Sequence, residues 1–226
     1  MEDRDAGPNS FRDLTLAQFV GRLASAEPVP GGGSAAAVAA SIGAALLTMV
    51  ASLSIGREKF AEHAATLEAA QGAGRALSDR FLTLADQDAA AFATYAAALR
   101  RPRATDGERV ERSRAIAAAA VTATEIPAAC VEACLDLAYA LESIAGRSNP
   151  NASSDLVVGA LLADAAAQAA AANVMINLPA VADQGWAGET SARVVEVLAA
   201  VGDLARQTRE TVGSGHPRPP LRPDGR

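Results

Sequence analysis

The chain has 226 residues, half of them hydrophobic, and a formal net charge of −6, which suits one domain with a sizeable core. Its basic residues are scattered except in the last few positions, which argues against a nucleic-acid-binding surface. Alanine fills 57 positions against eight for Phe, Tyr and Trp combined, so the core is expected to form from closely approaching helices.

No sustained apolar/polar alternation and no Asn-Gly or Asp-Gly hairpin turn marks a strand. The expected fold class is all-α, an orthogonal or up-and-down bundle of about six Ala-rich helices. Residues 1–13 are polar and expected to be loose; no apolar run behind Met1 marks a secretory signal, so the cytoplasm is the default. Thr15-Leu16-Ala17-Gln18 reads as a capping box, opening a short amphipathic helix with Leu16, Phe19, Val20 and Leu23 at helical spacing.

Pro28-Val29-Pro30-Gly31-Gly32-Gly33-Ser34 ends that helix. Ser34 is expected to N-cap the next, which runs uncharged to about Gly56. A helix without charge on any side lies at the centre of a bundle or in a subunit interface, and its content of Ala, Ser, Gly and Thr argues against a membrane span. The glycine-rich loop is either a tight turn between packed helices or a bare backbone surface where a ligand approaches.

A long helix from about Ala64 to Leu99 carries Leu77, Phe81, Leu84, Ala85, Asp88, Ala91, Phe92 and Tyr95 on one stripe, so a single carboxylate interrupts an apolar face. Arg100 to Gly107 is a loop, its Arg100-Arg101-Pro102-Arg103 run a solvated one; Thr105 or Asp106 caps a helix to about Ala145, with a kink or break expected at Pro127. The cluster from Gly146 to Asp155 opens a fifth helix to Leu178. Trp186 is expected in a loop, and Thr190 or Ser191 opens the last helix. From residue 213 Pro, Gly and Arg predominate, so the helical domain is drawn at 14–212 and a disordered tail at 213–226.

Gly31 to Ala36 satisfies a dinucleotide-binding pattern in letters, but no strand precedes it, and the Lys of a Walker loop is missing. Cys130 and Cys134 share a helix face with no second pair or His to complete a metal site, and Cys130 has no base beside it. Asp86 and Asp88 point about 200° apart on a helix, so only one faces the core. Asp88, on the Phe81, Phe92 and Tyr95 side, is either a general acid/base with a raised pKa or a buried carboxyl bonded to a neighbouring helix. Asp155 is explained by helix capping, and Asn173 and Asn177 either bond a heterocycle or tie two helices together.

Taken in order, Pro30-Gly31-Gly32-Gly33-Ser34-Ala35-Ala36, Gly43-Ala44-Ala45-Leu46, Met49-Val50, Gly56-Arg57, Asp88-Ala89-Ala90-Ala91-Phe92, Ile126-Pro127, Ser154-Asp155 and Asn173-Val174-Met175-Ile176-Asn177-Leu178 resemble the cyclodeaminase/cyclohydrolase family. The resemblance covers about residues 14 to 210. It implies an all-helical homodimer that acts on folate one-carbon units without metal or nucleotide cofactor. Folate is then the expected small-molecule partner, with neither nucleic acid nor membrane.

By the same resemblance Gly31, Gly32, Gly33 and Ser34 line the folate pocket, Asp88 transfers protons, and Ser154, Asp155, Asn173 and Asn177 are polar site positions. Arg57, where many relatives carry Lys, or Lys59 binds the glutamate carboxylates. The implied reaction is cyclodeamination of 5-formiminotetrahydrofolate to 5,10-methenyltetrahydrofolate and ammonia. Cyclohydrolysis of the methenyl compound and an inactive folate-binding helical dimer are the alternatives.

Overall fold

The computed structural model describes residues 10–217 and 219. Expectations for residues 1–9, and for the tail at 218 and 220–226, lie outside the described residues. Six α-helices carry the fold: α1 (Leu16–Leu23), α2 (Gly32–Ser52), α3 (Ala64–Leu99), α4 (Asp106–Ile144), α5 (Ser153–Asn177) and α6 (Gln184–Ser214). There is no strand among the described residues. Short connections reverse the chain between successive long helices. The central helix α2 lies between α3 and α5, with α4 beside both of these and α6 closing the far side against α4 and α5.

Small residues set these approaches. A Cβ at Gly74 of α3 would meet Ala44 O of α2 at 2.9 Å, and one at Gly43 would meet Gly159 O of α5 at 3.2 Å. Alanines of α2, α4 and α5 fill the layer between, joined by Leu47, Leu137, Leu141 and Leu156, all fully buried. Three stretches are long and apolar enough to cross a membrane by length and composition, Gly32–Ser52, part of Asp106–Ile144 and Pro150–Ala180. Here they pack against one another, and 56% of the Gly32–Ser52 window is buried.

Local signals place most helix ends. Thr15 with Gln18 and Thr105 with Glu108 form complete capping boxes. Several boundaries move. The start of α2 is Gly32, with Gly31 at the N-cap and no side-chain cap bond, so Ser34 is the third helical residue and not the cap. Its hydroxyl is engaged by Asp88, which brings a carboxylate to that helix end from α3. Trp186 lies in the first turn of α6, because Asp183 accepts from Trp186 N and starts the helix earlier than Thr190.

Pro127 does not break α4, which runs unbroken past it to Ile144 with the proline ring buried. Ser10 caps a 3-10 turn, Phe11–Asp13, whose Phe11 N–H donates to Asp86 at 2.7 Å. Residues 10–13 are therefore held against α3, where composition suggests a loose segment, because Asp86 leaves α3 on the side opposite Asp88. At the other end, Gly213 and Ser214 still belong to α6, which Gly215 closes in the left-handed conformation at φ 69°.

Candidate active site

At one end of the bundle the start of α2, the later half of α3, the middle of α4 and the end of α5 enclose a cavity of about 290 Å³. Gly31, Gly32 and Gly33 form one wall, with Pro28 and Val29 before them. Asp88, Phe92 and Tyr95 stand along α3, and Asn173, Ile176 and Asn177 along α5. The helical spacing of 88, 92 and 95, and of 173 and 177, is what presents each set on one face.

Asp88 sits against the first turn of α2. A Cβ at Gly33 would overlap its carboxyl group, so this glycine is the space the carboxyl occupies. Ser34 Oγ lies 2.9 Å from Asp88 Oδ2 and 3.1 Å from Ala85 O. Burial raises the Asp88 carboxyl above its ordinary value, and hydrogen bonds from the Ser34 hydroxyl and backbone N–H pull less strongly the other way. The result is a carboxyl group displaced toward neutrality at the wall of a cavity.

The two asparagines are oriented by backbone carbonyls. Asn173 Nδ2 donates to Ala169 O at 2.9 Å and Asn177 Nδ2 to Ala123 O at 2.7 Å. A carbonyl accepts only from the amide nitrogen, so each side-chain oxygen is left for other partners. The partner of Asn177 has a cause in the sequence. Ala123 stands four residues before Pro127, whose missing N–H leaves that carbonyl without its helical donor, and Asn177 supplies one. The asparagine tie between helices and its place in the cavity wall are thus one arrangement.

The predicted site residues divide. Gly31, Gly32, Gly33, Asp88, Asn173 and Asn177 meet in the cavity. Ser34 is fully buried behind it, reaching it only through Asp88. Arg57 and Lys59 follow the opposite end of α2, which is about 30 Å long at 1.5 Å per residue. Ser154 and Asp155 open α5, about 27 Å along that helix from Asn173 by the same rise. Both pairs stand at the end of the bundle where Asn149 N donates to Ser54 Oγ at 2.8 Å. Neither pair reaches this cavity within one chain, because antiparallel α2 and α5 hold their two ends a helix length apart.

Sequence reasoning missed the role of Ala123, whose signal was the proline four positions later. Cys130 and Cys134 are buried free thiols, and the Cys130 thiol together with burial holds Cys134 well above the ordinary value, in its protonated form. No group of three metal-ligating side chains occurs among the described residues.

Fold and site together define an antiparallel helical bundle with an acid-bearing cavity at one end. The family model described as formiminotransferase-cyclodeaminase matches residues 15–196, and the chain belongs to that family. It is 36% identical over 200 residues to a methenyltetrahydrofolate cyclohydrolase of Methylorubrum extorquens, covering 88% of this chain and 96% of that one. To the formimidoyltransferase-cyclodeaminase of Gallus gallus it is 35% identical over 183 residues, 81% of this chain but 34% of the relative, so it spans about a third of that protein. A crystal structure of formiminotetrahydrofolate cyclodeaminase from Thermotoga maritima superposes with a TM-score of 0.81 at 25% identity, over 90% of this chain and 98% of that one.

Proposed function

We propose that the chain is a folate one-carbon enzyme in which Asp88 moves the proton, and that its reaction is hydrolysis of 5,10-methenyltetrahydrofolate to 10-formyltetrahydrofolate. The observation that carries this is the displaced Asp88 carboxyl at the wall of a cavity lined by two asparagines whose amide nitrogens are held by backbone carbonyls, which leaves their oxygens to accept from a ligand. The near full-length likeness to a cyclohydrolase supports the hydrolytic direction. Ionised Asp88 takes a proton from water as its oxygen adds to the methenyl carbon. The C–N5 bond then breaks, Asp88 returns its proton to N5, and the new hydroxyl releases its own proton to solvent as the formyl C=O forms. Phe92 and Ile176 supply apolar surface for a flat ring, and Asn173 and Asn177 read its donor edge.

Cyclodeamination of 5-formiminotetrahydrofolate is the second reading, favoured by the Thermotoga maritima likeness. The same carboxyl would accept the proton of the attacking nitrogen and deliver one to departing ammonia. Supplying each folate separately and following methenyl absorbance separates the two. Accelerated loss from the methenyl compound supports hydrolysis, its appearance from the formimino compound alone supports deamination, and neither overturns both.

Two copies are proposed to form the working unit. Ile42 and Met49 of α2, Leu53 just after it, and Val158 and Leu161 of α5 are exposed large apolar residues along the face of the Gly43–Gly159 crossing. The α2 side of this strip carries no charged residue, and the two carboxylates of α5, Asp155 and Asp164, are half-buried, which suits cover by a like surface. Such a partner is also the remaining route by which Arg57, Lys59, Ser154 or Asp155 would approach a cavity.

A further inference from the structure

The Ser34 hydroxyl has one proton and two acceptors in reach, Asp88 Oδ2 at 2.9 Å and Ala85 O at 3.1 Å. Ala85 O is a carbonyl and only accepts, whereas Asp88 accepts when ionised and donates when protonated. Two complete arrangements follow. With Asp88 protonated, its O–H donates to Ser34 Oγ and Ser34 donates to Ala85 O. With Asp88 ionised, Ser34 turns and donates to the carboxylate, while Ala85 O keeps its place in the α3 hydrogen-bond ladder. Neither form strands a buried polar atom, and no side chain has to move beyond rotation of one hydroxyl hydrogen.

We propose that Ser34 is the positioning residue that carries Asp88 between its acid and base forms, its hydroxyl turning from Ala85 O to Asp88 Oδ2 as the proton leaves. A proton shuttle has to be stable in both forms within one turnover, and a fixed donor would favour only one. Ser34 is suited to this because it is fully buried, so water does not compete for its hydroxyl. It is held in the third position of α2, and Gly33 beside it leaves room for the carboxyl.

Few other groups act on Asp88. From α2 and the Pro28–Gly31 loop no titratable side chain lines the cavity; from α4 only Ala123 does, and from α5 only Asn173, Ile176 and Asn177. On α3 itself Tyr95 is the other titratable lining residue, and Asp86 is engaged by Ser10 and Phe11 on the opposite side. The hydroxyl is therefore the adjustable partner of this carboxyl group.

The proposal rests on the folate reading only for its catalytic meaning; the proton equilibrium is testable in the free protein. Carboxyl carbon NMR titration of Asp88, assigned with Asp88→Asn, is compared in wild type, Ser34→Ala, Ser34→Cys and Ser34→Thr. The charge-assisted bond lost in Ser34→Ala exceeds the neutral one, so Asp88 titrates about one pH unit higher there. The weak thiol donor of Ser34→Cys gives an intermediate shift, and Ser34→Thr restores the wild-type midpoint. The pH profile of kcat/KM moves in step. If Ser34→Ala does not fold, Ser34→Cys against wild type decides. An Asp88 midpoint unchanged in the folded variants overturns the proposal. A shift in a protein that turns over neither folate overturns the folate reading and leaves the hydroxyl switch standing.

Discussion

Asp88 and Gly33 are a matched pair, one occupying the volume the other leaves empty. Gly33→Ala is expected to push the carboxyl away and lower kcat by about 10²-fold, the lower range of what a positioned proton-transfer group contributes; steady-state kinetics check this. Asp88 also ties stability to pH. Burial raises its folded pKa, so the folded state holds this proton more tightly than the unfolded state. That contribution is complete below the unfolded carboxyl pKa and is lost as pH rises through the folded one. The Tm of wild type relative to Asp88→Asn is therefore expected to fall across that window, and a difference independent of pH would contradict it. The residue itself was legible in sequence, as the one carboxylate in the Leu77 to Tyr95 stripe. Ser34 was not, since capping statistics assign it the helix end, and only the arrival of α3 shows what its hydroxyl meets.

At the scale of elements, Pro127 links the backbone of α4 to the cavity wall. Pro127→Ala restores an N–H, draws Ala123 O back into the helical ladder and weakens its bond to Asn177. Helix propensity improves by up to about 3 kcal/mol, so Tm is expected to hold or rise while KM increases about fivefold, the worth of one neutral hydrogen bond. Loss of Tm with unchanged KM would show that the proline serves packing alone. Gly74→Ala places a methyl against Ala44 O and is expected to cost about 1–3 kcal/mol, read by denaturant unfolding. Helix bounds were legible where a capping residue or a following proline marks them, as at Thr15, Thr105 and Leu99. The separation of Arg57, Lys59, Ser154 and Asp155 from Asp88 was not, because sequence order does not tell which ends of antiparallel helices coincide.

For the whole molecule, the strip of exposed apolar residues along α2 and α5 is where a second copy is proposed to pack. Light scattering of wild type is expected to give the mass of two copies, and Ile42→Glu with Val158→Glu the mass of one. A wild-type protein at single-chain mass would remove the proposed partner and any contribution from Arg57 or Asp155 across it. Its lack of charge told that α2 had to be covered at a bundle centre or in a subunit interface, and the fold packs it mainly between α3 and α5. Everything proposed for this molecule turns on Asp88 working in a folate cavity. Its most direct test is the rate of methenyl absorbance loss from 5,10-methenyltetrahydrofolate with wild type and with Asp88→Asn, alongside folate-induced Tm shifts for both. Accelerated loss with wild type, a fall of about 10²-fold or more in the variant and a retained Tm shift are the predicted results. Equal turnover by the two proteins would contradict the assignment.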